Sequence, residues 1–177
     1  MSVRWLSIGR SIRRILEQWS GIQKFVTELQ KDAKLVPKCA AFNRIVNVMK
    51  QDDAHIHMHF INAMCTMFEK CLTLFQTEAP LVHVLYDQLV ELLTALLVRF
   101  MKADVVTAAA KDSPEKLANI DVENVNSQLS SDDLSIGETT RIELRKLKSD
   151  AQRKAILGMR AFFYNCHKIF ANSITSE

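Results

Sequence analysis

Glycine and proline are scarce in this chain. Its 177 residues hold 4 Gly and 3 Pro, where average usage, roughly 12% together, gives about 21. Sandwiches and barrels need a turn roughly every 8–12 residues, and turns consume these two residues. An all-β fold, a collagen-like chain and a linker-rich chain are therefore excluded. Long apolar runs are also missing. The richest stretch, Leu81 to Met101, is interrupted by His83, Asp87, Glu91 and Arg99. Its longest uncharged run, Leu92 to Val98, falls far short of the ~20 residues that span a bilayer. The start, Met-Ser-Val-Arg-Trp, has no apolar core after its basic residue, so no signal peptide is read. There is no glycine-rich phosphate loop, no Gly-x-Ser-x-Gly, and no carboxylate pair in a catalytic setting. The sequence therefore points to no enzyme, no cofactor, no membrane and no small-molecule substrate.

The sequence does hold helix formers and segregated charge. Hydrophobic content of 48% and charged content of 24% are those of a soluble globular domain, and with so few turn residues the fold class is all-α. Net charge is +3, but residues 1–50 carry 10 Lys/Arg and 3 Asp/Glu, residues 51–135 carry 5 and 13, and residues 136–177 carry 8 and 4. Basic, acidic and basic blocks follow one another. They either pair with each other within the fold or leave surfaces that attract polyanions.

Trp5, Ile8, Ile12, Ile15, Trp19, Ile22, Val26 and Leu29 recur at alternating intervals of 3 and 4, which is one stripe of a helix. Ser20-Gly21 interrupts it, so two helices or one kinked helix are expected over 5–33. Pro37 is placed to open the next helix, with Phe42, Ile45, Val46 and Met49 as its buried face. Asp52 or Asp53 caps a longer helix whose buried face is Ile56, Phe60, Ala63, Met64, Met67, Phe68, Cys71 and Phe75 and which ends before Pro80. Leu81 to Met101 is apolar around more than half its circumference and is expected to be the central helix. The expected architecture is a single irregular multi-helix bundle over 1–177. It comprises a helical core at 1–102, a long acidic loop at 103–135 with a short extended piece at Leu117–Val122, and C-terminal helices at 136–177. Within the last block, helices begin near Gly137 and near Ala151, and Ile156, Met159, Phe163, Cys166 and Phe170 form the buried stripe of the second.

His55, His57 and His59 alternate. On a helix His55 and His59 share a face and His57 does not. Without the glutamate of a zincin the spacing is a weak ligand signal, and no metal site is assigned. Cys39, Cys65, Cys71 and Cys166 are read as reduced core thiols. Cys166 and His167 are adjacent, so their side chains diverge by about 100° and form no nucleophile–base dyad. Arg4-Trp5 followed by Arg10, Arg13 and Arg14 is the candidate nucleic-acid contact. Guanidinium groups neutralise phosphates and an exposed indole stacks on an unpaired base. Trp5 also lies in register with the apolar stripe, which suits a core residue equally.

Val3-Arg4-Trp5-Leu6-Ser7 resembles the Thr-Arg-Trp-x-Ser motif of hAT-superfamily DNA transposases and their domesticated zinc-finger relatives, with Val3 in place of Thr. The resemblance extends through Gly9-Arg10, Leu16-Glu17-Gln18-Trp19, the block Leu74 to Leu81, the block Leu97 to Lys102, and Asp132 to Gly137, and so covers most of the chain. It implies the helical insertion domain that interrupts an RNase H-like core. In the family the two catalytic aspartates lie upstream of the Arg-Trp motif and the glutamate lies downstream. A zinc-finger module and a dimerisation segment flank the whole. The resemblance thus implies a fragment without the metal ligands of the family's two-metal chemistry, and a nuclear location, with a cytoplasmic one as the alternative. It further implies a role for Arg4 and Trp5 near a hairpin end or flipped base. The expected function is a non-catalytic transposase remnant with weak, sequence-independent DNA binding. The alternative is a protein-interaction or structural module that associates with itself or with a related transposase-like protein.

Overall fold

The structure is a computed structural model that describes residues 3–32, 34, 36–74 and 82–175; of residues 3–7, 74, 82 and 83 it describes the backbone alone. The described residues form α1 (Val3–Glu17), α2 (Trp19–Lys31), α3 (Ala40–Met49), α4 (Ala54–Leu74), α5 (Val82–Leu97), α6 (Ala103–Asp112), α7 (Pro114–Ala118), a 3-10 turn (Val125–Ser127), α8 (Glu138–Leu144) and α9 (Ser149–Thr175). The all-α class read from the sequence is the class observed. No described helix is long and apolar enough to cross a membrane. By internal contacts the chain divides into two units, each built from separated segments. The first is 1–65 with 137–155; the second is 66–136 with 156–177.

In the first unit the long apolar stripe divides into α1 and α2 at Gln18 (φ −98°, ψ 6°), three residues before the expected glycine break. Gly21 lies inside α2, where a Cβ would meet nothing nearer than Gln18 Oε1 at 3.9 Å. Ile12, Trp19 and Val26 are buried. Val26 packs with Phe42 and Val46 of α3, and Ile22, Leu29 and Val36 close around them. The third helix starts at Ala40, after an extended Cys39 (φ −132°, ψ 148°), so Pro37 lies in the approach and does not open it. Its face is narrower than expected. Phe42 and Val46 are buried, whereas Ile45 is exposed. Asp53 precedes α4 as expected of a cap, with its carbonyl accepting the His57 N–H at 3.0 Å. Ile56, Phe60 and Met64 follow at four-residue intervals as the buried line of α4. Phe75, at the end of the expected α4 stripe, and Pro80 lie outside the described residues.

The second unit is built on the C-terminal half of α5. Leu93, Leu96 and Leu97 are fully buried, followed by Phe100 and Met101, while Leu85 and Tyr86 near the start of the helix are exposed. The expected loop at 103–135 is helical over its first half. Ala108-Ala109-Ala110 has the highest helix propensity available and carries α6 without a strong apolar stripe. The Ser113 hydroxyl then accepts the Lys116 N–H at 3.2 Å with Pro114 at the first position of α7, a cap that satisfies one of the free donors of a helix start. Leu117 and Ala118 belong to α7, so the expected extended piece at 117–122 does not form. Residues 119–135 are irregular but held. Lys102 N–H donates to the Ser127 carbonyl (2.9 Å), Leu129 N–H to Phe100 (2.8 Å) and Ser135 N–H to Arg99 (2.9 Å), around an isolated antiparallel bridge between Met101 and Gln128. Arg160 of α9 donates to Gln128 Oε1 and to the Leu129 carbonyl, both at 2.8 Å. In the core Phe100 and Phe163 stack with centroids 5.1 Å apart at 10°.

The buried line of α9 runs through Met159, Phe163, His167 and Ile174, while Ile156, Cys166 and Phe170 of the expected stripe are half-buried. His167 is thus a core residue. Its imidazole donates to the Ala118 carbonyl, and burial, the larger effect, holds its pKa below the ordinary 6.5. Its Nε2 is buried with no hydrogen-bond partner among the described residues, so a proton there meets no acceptor. The proton therefore favours the unfolded chain. The stability contributed by the neutral ring is complete above pH 6.5 and is lost as pH falls through the folded-state value. We expect urea unfolding between pH 7.5 and 5 to show a steeper fall in stability for the wild-type chain than for His167→Leu; equal slopes would contradict this.

Candidate nucleic-acid interface

Helix α1 carries Arg10, Arg13 and Arg14 at i, i+3 and i+4, exposed to solvent, with Ile12 buried on the other side. The amphipathic stripe fixes this orientation, because the residues between stripe positions must face water. Arg4 and Trp5 stand in the first turns of the same helix, and their side chains lie outside the described residues.

The charge blocks regroup in the folded chain. The first unit collects 16 Lys/Arg and 8 Asp/Glu, and the second 7 and 12. The basic segment at the start of the chain and the basic residues Arg145, Lys146, Lys148, Arg153 and Lys154, all exposed, belong to the same unit. Contiguous counting along the chain separates them. Two ion pairs of this unit are local: Lys31 with Glu28, and Lys146 with Glu143, each at 2.6 Å and three residues apart. Such exposed pairs contribute little to stability.

Two aromatic side chains of α2 have opposite placements. Trp19 is buried, its ring 4.9 Å from that of His55 at an angle of 32°. Phe25 is 63% exposed, next to the exposed Lys24. Sequence reading passed over Phe25, although its signal was visible. It lies off the stripe Ile22, Val26, Leu29, so a helical register already turns it toward solvent.

His55 and His59 do share a face, as their spacing requires, with Nε2 atoms 3.2 Å apart. Burial, and then the neighbouring His55, hold the His59 pKa below its ordinary value; Glu143 opposes this and Lys146 adds to it. His57 turns the other way toward Asp53, Nδ1 to Oδ2 3.9 Å. Among the described residues no group of three or more His, Cys, Asp or Glu is arranged to hold a metal ion.

The four cysteines are free, as expected, but not core residues: Cys65, Cys71 and Cys166 are half-buried. Cys39 is exposed rather than part of a core, because it stands at the extended cap of α3 and outside any stripe. Cys166 has its thiol pushed up to about 11 by burial. With the adjacent His167 turned to Ala118, the two make no activated nucleophile. No family model, no curated protein and no solved structure matches the chain.

Proposed function

We propose that the first unit is a non-catalytic module that binds single-stranded nucleic acid without sequence preference, in keeping with the resemblance to hAT transposases. The supporting observation is the exposed arginine face of α1 within a unit of 16 Lys/Arg and 8 Asp/Glu. Arg10, Arg13 and Arg14 neutralise phosphates, with Arg4 and Trp5 extending the contact at the start of the helix. Phe25 adds an exposed ring for stacking on an unpaired base. Binding of this kind is driven by counterion release and falls steeply with salt. The test is fluorescence anisotropy of a labelled single-stranded oligonucleotide titrated with the full chain at several salt concentrations. Arg10→Glu with Arg14→Glu should make the log–log salt slope shallower by about 1.4, at roughly 0.7 per phosphate contact on a single strand. Phe25→Ala and Trp5→Ala should each weaken binding by about 1–3 kcal/mol if the ring stacks on a base. Absence of binding at low salt, or unchanged binding in all of these variants, refutes the reading.

A second reading, self-association, is favoured by the exposed apolar side chains Ile8, Phe25 and Ile45 of the first unit. Sedimentation separates the two readings. A monomer at micromolar concentration that binds the oligonucleotide supports the first, and a dimer dissociated by Phe25→Ala supports the second.

A further inference from the structure

The pair His55 and His59 is not used by the nucleic-acid reading, and its geometry is specific. The rings meet edge to face, with centroids 4.5 Å apart at 78°, and bring two Nε2 atoms to 3.2 Å in a hydrogen bond, whose proton must leave or move to Nδ1 before both nitrogens can hold a metal ion. Two metal–nitrogen bonds of about 2.0–2.1 Å drawn from atoms at that spacing enclose an angle of roughly 100–105°. That value lies between the right angle of a square-planar site and the tetrahedral angle, the two geometries that divalent ions of the copper–zinc group adopt with imidazole.

We propose that His55 and His59 form a two-point chelate for an imidazole-seeking divalent transition-metal ion, Zn²⁺ or its neighbours Ni²⁺ and Cu²⁺, with water in the remaining positions.

Three features of the surroundings support the site. The Trp19 ring lies over His55 at 4.9 Å and restricts its rotation. Both histidines are half-buried on α4, a rigid element, so little side-chain freedom remains to be lost on binding. The Glu143 carboxylate acts electrostatically on both imidazoles and offsets the ammonium of Lys146, with which it is paired at 2.6 Å beside them. For chelation each ring must carry its proton on Nδ1 and present a lone pair on Nε2. The lack of a third ligand among the described residues sets the class of the site. It is open and exchangeable, with coordination positions left for water or for an external donor, unlike the closed four-ligand sites that hold structural zinc.

The test uses the full chain and Zn²⁺ alone, with Mg²⁺ as the control that imidazole does not favour. A ligand that binds only the folded chain raises its unfolding temperature, by an amount that grows with the logarithm of one plus concentration over Kd. Zn²⁺ is expected to raise the unfolding temperature of the wild-type chain and of His57→Gln. In His55→Gln and in His59→Gln the apparent Zn²⁺ affinity should fall by more than about tenfold, the least that loss of a mere supporting residue costs. Imidazole ¹⁵N spectra of the wild-type chain give a readout free of any variant's folding, in which the His55 and His59 rings shift and His57 does not. The proposal is overturned by no Zn²⁺-dependent rise in the wild-type chain, by an equal rise with Mg²⁺, by unchanged affinity in both variants, or by spectral changes at other histidines only.

Discussion

Phe163→Ala should cost about 3–5 kcal/mol of stability, the range for truncating a large aromatic in a close-packed core. Phe163 is fully buried and stacks on Phe100 at 5.1 Å and 10°. Removing the ring leaves a cavity and also strips the partner from Phe100, which lies in the turn between α5 and α6. That turn bears the backbone bonds to the 127–135 segment, Leu129 N–H to the Phe100 carbonyl at 2.8 Å among them. The loss therefore extends beyond one side chain. Typical domains are stable by about 5–15 kcal/mol, so the substitution removes a large fraction of what holds the second unit. Urea denaturation followed by circular dichroism measures it. A loss below about 1.5 kcal/mol, the scale of a tolerated swap, would mean that the two rings do not carry this core.

Gly137→Ala should cost roughly 2–4 kcal/mol from backbone strain and overpacking together. Gly137 has φ +91°, a conformation that side-chain-bearing residues rarely adopt. It caps α8 with ψ 141°, where its carbonyl accepts the Arg141 N–H at 3.0 Å. A Cβ placed there would lie 2.8 Å from the Cβ of Ala63 on α4, closer than two carbons approach. The two causes are separable by a double-mutant cycle. Ala63→Gly removes the clash and leaves the dihedral, so combined with Gly137→Ala it should restore part of the stability and not all of it. Full rescue would show that the backbone is unstrained at this position, and no rescue would show that α4 already yields.

The helices were largely legible because periodicity is a local property. The stripe from Ile12 to Leu29, the break before α3, and the starts of α8 and α9 follow from spacing and caps that neighbouring residues supply. The corrections arise where packing partners come from afar. Ile45 and Leu85 fit a helical face as well as Val46 and Leu93 do, and their sequence neighbours do not reveal which of them meets another helix. His167 entered the core because Ala118, 49 positions earlier, offers its carbonyl. Helix α6 was missed because alanine propensity leaves no apolar period to count. At the candidate interface the arginine face of α1 was visible in the spacing of three residues. Phe25 was visible too, as an aromatic out of step with its stripe. The strength of the charge imbalance was not visible, since residues of one unit are divided by a long acidic insertion. The histidine pair lay between these cases: the shared face followed from the i, i+4 spacing, and the distance between the nitrogens did not.

The split make-up of the two units has a consequence for how the chain acquires its structure during synthesis. A polypeptide leaving the ribosome usually folds one domain after another from its start. Here residues 1–65 emerge well before 137–155, which complete the same unit, and residues 66–136 must wait for 156–177. The early helices are made with part of their core unfilled, and each unit closes a long loop whose entropic cost precedes its reward. Ile56, Phe60 and Met64 belong to a unit that is still incomplete when they emerge. Both units therefore stay incomplete until residues 137–155 and 156–177 have been made, and a truncation anywhere after residue 65 and before residue 137 removes part of both units at once.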